Sequence, residues 1–189
     1  MRRRDSSAAR QAASQRRHTV LIYCGAVRTE PDYFDGLRKQ IRGQTVTIKV
    51  RQQGVSPKQL VQAAAAYRDR KPGSFDEVWC VVDVDQFDIE AAVTEARRND
   101  INLAVSNPCF ELWLLLHHAE CRAHCAGYED VLVRLKKHVP GYDKARLDFA
   151  DHVAGIGDAT KRAKELGGDH TQNPSTGMWR LVEMVREQS

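Results

Sequence analysis

Two carboxylates set two residues apart, Asp83 and Asp85, stand at the end of the apolar run Val78-Trp-Cys-Val-Val82. On an extended chain residues i and i+2 point to the same side, so the pair would crowd negative charge into one small volume where a strand ends. Like charges that close repel unless a cation lies between them, and a hard divalent ion such as Mg²⁺, or Mn²⁺ in its place, prefers carboxylate oxygens. The plainer reading of the same residues is a solvated turn, because Asp is common after strands.

Other polar residues could join such a site. Asn107 and Glu111 are four apart, so on a helix they share a face and could serve a metal or a phosphate. For Asn107 the favoured reading is a cap on the helix whose first turn contains Pro108, which does not exclude contact with a ligand, and Glu111 would support that cap or the helix N-terminus electrostatically. Glu111 lies between Phe110 and Leu112-Trp113, where burial without a purpose would be costly, and this favours a functional role. His170, beside Asn173 and Ser175, is a further phosphate contact to consider. His117 and His118 follow an apolar run and read as residues at the edge of a core, as Trp79, Trp113 and Trp179 read as core.

The elements that must position these groups follow from periodicity. Residues 18–24 read as a first strand, 25–28 as a tight turn, and Thr29 as the N-cap of a helix with Pro31 in its first turn and Tyr33, Phe34, Leu37 and Ile41 as its buried stripe. A second strand is expected at 46–50, a helix from Ser56 or Pro57 to Tyr67, and a stop at Lys71-Pro-Gly-Ser74. The strand ending at Asp83 comes next, then a helix over 89–98, a strand over 101–105 and an apolar helix over 110–118. Alternation of this kind favours an α/β fold with a mostly parallel, doubly wound sheet, whose working residues gather at the C-terminal ends of the strands. Glu30, the Asp83/Asp85 pair and Asn107/Glu111 should then share one edge.

Residues 18–118 are therefore expected to form the α/β core. Residues 119–189 read as a helical extension packed on it, with helices over 128–138, within 149–166 and over 178–186, and loops over 139–144 and 167–176. The first 17 residues read as a disordered basic tail. Six arginines against one aspartate give it +5 of a net +4, which leaves −1 for the rest. Such an arm can meet nucleic-acid phosphates, although basic tails also occur on proteins that bind none.

With 189 residues, 42% of them hydrophobic, the chain can bury a substantial core. No apolar run nears the ~20 residues of a membrane span, and the basic start lacks the apolar centre of a signal peptide, so a cytoplasmic location is expected. Cys24, Cys80, Cys109, Cys121 and Cys125 make an odd count without the second pair a zinc site needs, and read as reduced thiols.

Several segments, in order, carry a family resemblance: Thr29-Glu-Pro-x-Tyr-Phe34, Asp83-Val-Asp85-Gln-Phe, Ser106-Asn-Pro-Cys-Phe-Glu-Leu-Trp113, Gly141-Tyr-Asp-Lys144 and Asn173-Pro-Ser-Thr176. Over residues 20–185 the chain resembles the RloB-like family, found beside restriction and abortive-infection genes. The resemblance implies a Toprim-like fold: a four-stranded, mostly parallel sheet with helices on both faces, using an acid after the first strand and a DxD after the third to hold Mg²⁺ for phosphodiester chemistry. It is similar in this to the nuclease domain of overcoming-lysogenization-defect proteins. It also implies a partner ATPase of the ABC type, encoded nearby, and a role for Lys144 at the scissile phosphate. The family's first motif runs Cys-Glu-Gly-Glu-x-Thr-Glu-Pro, whereas here Gly25 stands at the Toprim glutamate and Val27 at the second acid. Glu30 remains, about one helical turn further on.

The function expected from this reading is a metal-dependent nuclease of an anti-phage system. Glu30, Asp83 and Asp85 are the metal ligands, Glu30 alternatively a general base. Glu111 and Lys144 complete the catalytic set, and Asn107, Lys144, Asn173 and Ser175 contact nucleic acid or phosphate. Its partners are DNA or RNA and the ATPase, with self-association a further option and no membrane. The alternative is a catalytically reduced Toprim-like subunit that binds the ATPase or a nucleic-acid end without cutting. A phosphatase or nucleotidyl-transferring enzyme on the same fold is a weaker third option.

Overall fold

Long apolar runs separated by amphipathic segments build a mixed sheet covered on both faces. The computed structural model describes residues 18–41, 46–52, 54–84 and 89–187, so the basic tail and Asp85 lie outside the described residues. Among the described residues five strands stand in the order β2-β1-β3-β4-β5. β1 (His18–Cys24) is flanked by β2 (Val46–Gln52) and β3 (Glu77–Asp83), both parallel to it. β4 (Asn102–Asn107) runs parallel to β3, with Asp83 in register with Ser106.

The fifth strand departs from expectation. β5 (Ser175–Thr176) pairs antiparallel with β4 inside a stretch that reads as a loop. It is held by the Ser106 and Thr176 hydroxyls, 2.9 Å apart, and by the Gly177 N–H donating to the Val105 carbonyl at 2.8 Å. A sheet with four parallel strands and one antiparallel edge strand results.

Seven α-helices are found among the described residues: α1 (Thr29–Gln40), α2 (Pro57–Asp69), α3 (Ile89–Asn99), α4 (Glu111–Leu116), α5 (Tyr128–Leu135), α6 (Ile156–Leu166) and α7 (Met178–Glu187). Successive β1 side chains feed opposite faces. Val20, Ile22 and Cys24 join the core formed with α1, α4, α6 and α7, whereas Leu21 and Tyr23 join the one formed with α2 and α3. Such two-sided burial is what the near-continuous apolar run of β3 requires. All five cysteines are free thiols, and no helix among the described residues is long and apolar enough to cross a membrane.

Local signals explain how the helices start. Ser56 caps α2 in a reciprocal box with Gln59, and Pro57 sits in its first turn. Thr29, expected to cap α1, is instead its first helical residue; Arg28 occupies the cap without a side-chain bond. The Thr29 hydroxyl donates to the Lys144 carbonyl at 3.0 Å, a tertiary bond that outcompetes the local cap.

Gly36 fixes how closely α1 meets the 3-10 turn Phe149–Asp151. A Cβ on Gly36 would overlap Cβ and Cγ of Phe149, atoms too near the backbone to swing aside. Gly36→Ala is expected to lower unfolding stability by about 2 kcal/mol despite alanine's better helix propensity, as read by denaturant titration. An unchanged or raised midpoint would mean this packing is looser than it stands.

Candidate functional site

The C-terminal edge of the sheet brings three acids and a lysine together. Beyond β1, the Gly25 N–H donates to the Val81 carbonyl at 3.1 Å, which keeps the turn tight against β3 and delivers the first turn of α1, with Glu30, to the strand ends. β3 ends at Asp83, and the Val84 N–H donates to the Ser106 carbonyl at 2.9 Å, holding that end against β4. After β4 the chain turns into α4, whose first residue is Glu111. A cavity of about 180 Å³ opens here, lined by Gly25, Ala26, Glu30 and Asp83 on one side and Val55, Pro57 and Leu60 on the other.

Glu30 is 2% exposed and Glu111 1%, while Asp83 is partly exposed with its Oδ1 sealed. Glu30 Oε2, Asp83 Oδ1 and Glu111 Oε2 are buried and have no hydrogen-bond partner among the described residues. Three orphaned carboxylate oxygens in one place are unusual, because desolvated polar atoms are normally satisfied. Burial pushes the Glu30 carboxyl up to about 7, with the Glu111 charge adding to the shift and Lys144 opposing it. Burial raises Asp83 well above the usual carboxylate range, reinforced by Glu30 and Glu111 and opposed by the Phe110 N–H and Lys144.

A loop 30 residues downstream completes the cluster. Tyr142 donates its hydroxyl to Glu111 Oε1 at 2.9 Å, and Lys144 Nζ stands 3.6 Å from the same oxygen and 4.3 Å from the centre of the Tyr128 ring. Partial burial works against the Lys144 ammonium, but Glu111, Tyr128 and Asp83 outweigh it and its pKa is raised, so it stays charged. The lysine side chain is half exposed, which lets it reach both the acids and a solvent-borne ligand.

The remaining sequence candidates make other bonds. Asn107 is the last residue of β4 rather than a helix cap, and its amide donates to the His170 carbonyl at 2.8 Å. Asn173 is tied to the backbone of Cys125 through both ends of its amide, each at 2.9 Å. The Ser175 hydroxyl faces the carbonyls of Asp169 and Gln172, each at 2.8 Å. Asn107 through its amide nitrogen, Asn173 through both ends of its amide and Ser175 through its hydroxyl thus help hold the segment that carries β5. His170 pairs with Glu90 at 2.7 Å, and His117 is buried, bonded to Tyr33 and the Trp113 carbonyl.

Tyr142 and Thr29 belong to the cluster and were not singled out as site residues by sequence reasoning. Their roles depend on contacts 31 and 115 residues away, which no local pattern announces.

The donor set fits a hard divalent cation in kind. Among the described residues, however, no group of three or more His, Cys, Asp or Glu side chains is placed so that it could hold a metal ion. Mg²⁺ suits such an arrangement better than a caged ion does, since it is commonly held by one or two carboxylates, with waters and substrate phosphates filling the rest.

Among protein families, the one described as RloB-like protein matches residues 20–185, a span that runs from β1 into α7 and includes every residue of the cluster. No curated protein and no solved structure matches the chain.

Proposed function

The chain belongs to the RloB-like family, and on that premise we propose that it is a metal-dependent nuclease with a Toprim-like core, acting on DNA or RNA in anti-phage defence beside an ABC-type ATPase. The observation that carries this reading is the trio of buried, unpartnered carboxylate oxygens on Glu30, Asp83 and Glu111, with Lys144 beside them. Bare acids in that arrangement destabilise the fold and make sense when a cation and a phosphate complete them.

Asp83, with Asp85 two residues on, would hold Mg²⁺ or Mn²⁺ at the end of β3. When bound, the ion supplies Lewis-acid stabilisation of charge on the phosphate oxygens. Glu30, pushed up to about 7, is matched to accept a proton from the attacking water near neutral pH. That water's oxygen forms the new P–O bond as the bond to the leaving sugar oxygen breaks. Lys144 faces the growing negative charge, and Glu111, held by Tyr142, keeps the lysine in place.

A second reading has its own support. Gly25 puts no acid at the cavity wall, and the described acids do not by themselves gather into a metal site. On that reading the chain is a reduced subunit that binds nucleic acid or the ATPase without cutting.

The test is cleavage of plasmid, linear DNA and tRNA by the purified chain with Mg²⁺, with Mn²⁺ and with EDTA, alone and with the neighbouring ATPase. Cutting that needs the metal is the expected result. Folded protein inert under every condition would sink the nuclease reading in favour of the reduced subunit.

A further inference from the structure

Resting on the nucleic-acid reading above, we propose that Arg51, Arg70 and Lys71, gathered around Tyr67 beside the outer strand β2, form a contact surface for the phosphodiester backbone of a nucleic-acid strand. Among the described residues, β2 is the edge strand of the parallel part of the sheet. Arg51 lies on it in register with Tyr23 of β1, whose ring meets that of Tyr67 edge-on at 6.0 Å. Arg51 donates to the Tyr67 hydroxyl at 2.7 Å, and its guanidinium carbon stands 4.9 Å from the ring centre. Lys71 Nζ is 5.0 Å and the Arg70 guanidinium 6.0 Å from the same point.

Three exposed cations thus converge on one neutral ring. Among the described residues none of the three stands in an ion pair, whereas the adjacent Arg68 is paired with Asp69 at 2.9 Å. An aromatic face attracts each cation but does not cancel the repulsion between them. A row of phosphates does, and it releases its own condensed counterions in the exchange. The chain beyond its first 17 residues carries a net −1 that already includes these three cations, so the remainder is −4. The three cations thus stand against a remainder that is net acidic.

The two lie close together. Gln52, next to Arg51, pairs with Cys24, and the following residue, Gly25, lines the carboxylate cavity. One strand spacing and two residues separate them, about 5 Å across and 7 Å along. A nucleic-acid strand leaving the cavity over β2 would run onto the cations. Because Arg51 already engages the Tyr67 hydroxyl, the surface offers charge rather than base recognition, and its contribution should be independent of sequence and of the sugar.

The experiment is fluorescence anisotropy with full-length protein in EDTA, so that binding is read without cleavage. The probes are a 20-nucleotide DNA, the same sequence as RNA, and the DNA duplex. Arg51→Gln/Arg70→Gln/Lys71→Gln is expected to weaken all three by about tenfold or more near 50 mM salt and to reduce the duplex log–log salt slope by about 2 to 3. Lys136→Gln/Lys137→Gln, equally exposed but after α5, should stay within about twofold. Lys71→Gln alone, a change at an exposed residue in the turn after α2, should lower the slope by about 1 and serves if the triple variant does not fold.

A folded triple variant with the original affinity and slope overturns the proposal. So does a parent chain that binds none of the probes, or a patch whose loss affects binding to anionic vesicles but not to oligonucleotides. Cleavage is assayed separately with Mg²⁺. A chain that binds through this edge and cuts nothing defeats the nuclease reading and leaves the surface standing.

Discussion

Asp83→Asn is expected to reduce metal-dependent cleavage by about a thousandfold while making the metal-free protein more stable at pH 8. The two effects have one cause. Asparagine keeps the shape and can still accept from the Phe110 N–H, but it neither carries charge nor attracts a divalent ion. Asp83 is held well above the usual carboxylate range by burial, Glu30 and Glu111. A group whose folded pKa is raised holds its proton in the native state after the unfolded chain has released it. Its contribution to stability is therefore complete below the ordinary carboxylate pKa and is lost as pH rises toward the folded value. Glu30, pushed up to about 7, behaves the same way and sets the window at about pH 4.5 to 7 for its share. A shift of that size corresponds to about 3 kcal/mol. The asparagine has no proton to lose and no charge to bury, so the variant should gain about 1–3 kcal/mol over the parent at pH 8 and much less at pH 5. Mg²⁺ should raise the parent's melting temperature and leave the variant's unmoved. Thermal melts at both pH values, with and without Mg²⁺, decide the matter. Retained cleavage, or a variant destabilised equally at both pH values, would remove Asp83 from the site.

What the sequence announced and what it hid divide along physical lines. The β1 and β3 runs and the stripe of α1 are dictated by burial at period 2 or 3.6, and they are legible because each residue's neighbours are local. The meeting of Glu30, Asp83 and Glu111 follows from topology, since parallel strands joined by helices deliver their C-terminal turns to one edge. β5 was hidden because two polar residues, Ser175 and Thr176, carry no alternation; their strand geometry comes from β4. Tyr142 was hidden because its partner Glu111 lies on another element. Asn107, Asn173 and Ser175, candidates for phosphate contact, also brace loops, because a short polar side chain can serve backbone groups as readily as phosphate. The cations around Tyr67 come from β2 and from the cap and turn that follow α2, 19 and 20 residues apart in the chain, and their convergence exists only in the fold.

Gly25→Glu is the substitution that separates an enzyme from a reduced subunit. A Cβ built on Gly25 meets only the Val81 carbonyl oxygen at 3.5 Å and Leu60 Cδ2 at 3.9 Å, ordinary contacts, and beyond it lies the cavity that Glu30 and Asp83 already line. The backbone therefore accepts the side chain, and the new carboxylate reaches the acids it would join. Without metal the added charge should cost about 1–3 kcal/mol at pH 8, because a further acid enters a site whose acids already repel one another, and Mn²⁺ should restore most of it. Gly25→Ala, which adds the Cβ without the charge, should show neither effect. If the parent is inert and the glutamate variant cuts with Mn²⁺ by tenfold or more above background, the scaffold is competent and the natural chain is the reduced form. If the parent already cuts and the variant is no faster, Glu30 and Asp83, with Asp85, suffice and Gly25 is no handicap. A variant that is folded, gains no stability from Mn²⁺ and cuts nothing would show that this edge does not gather a metal at all, and the orphaned acids would then need an explanation in binding rather than in hydrolysis.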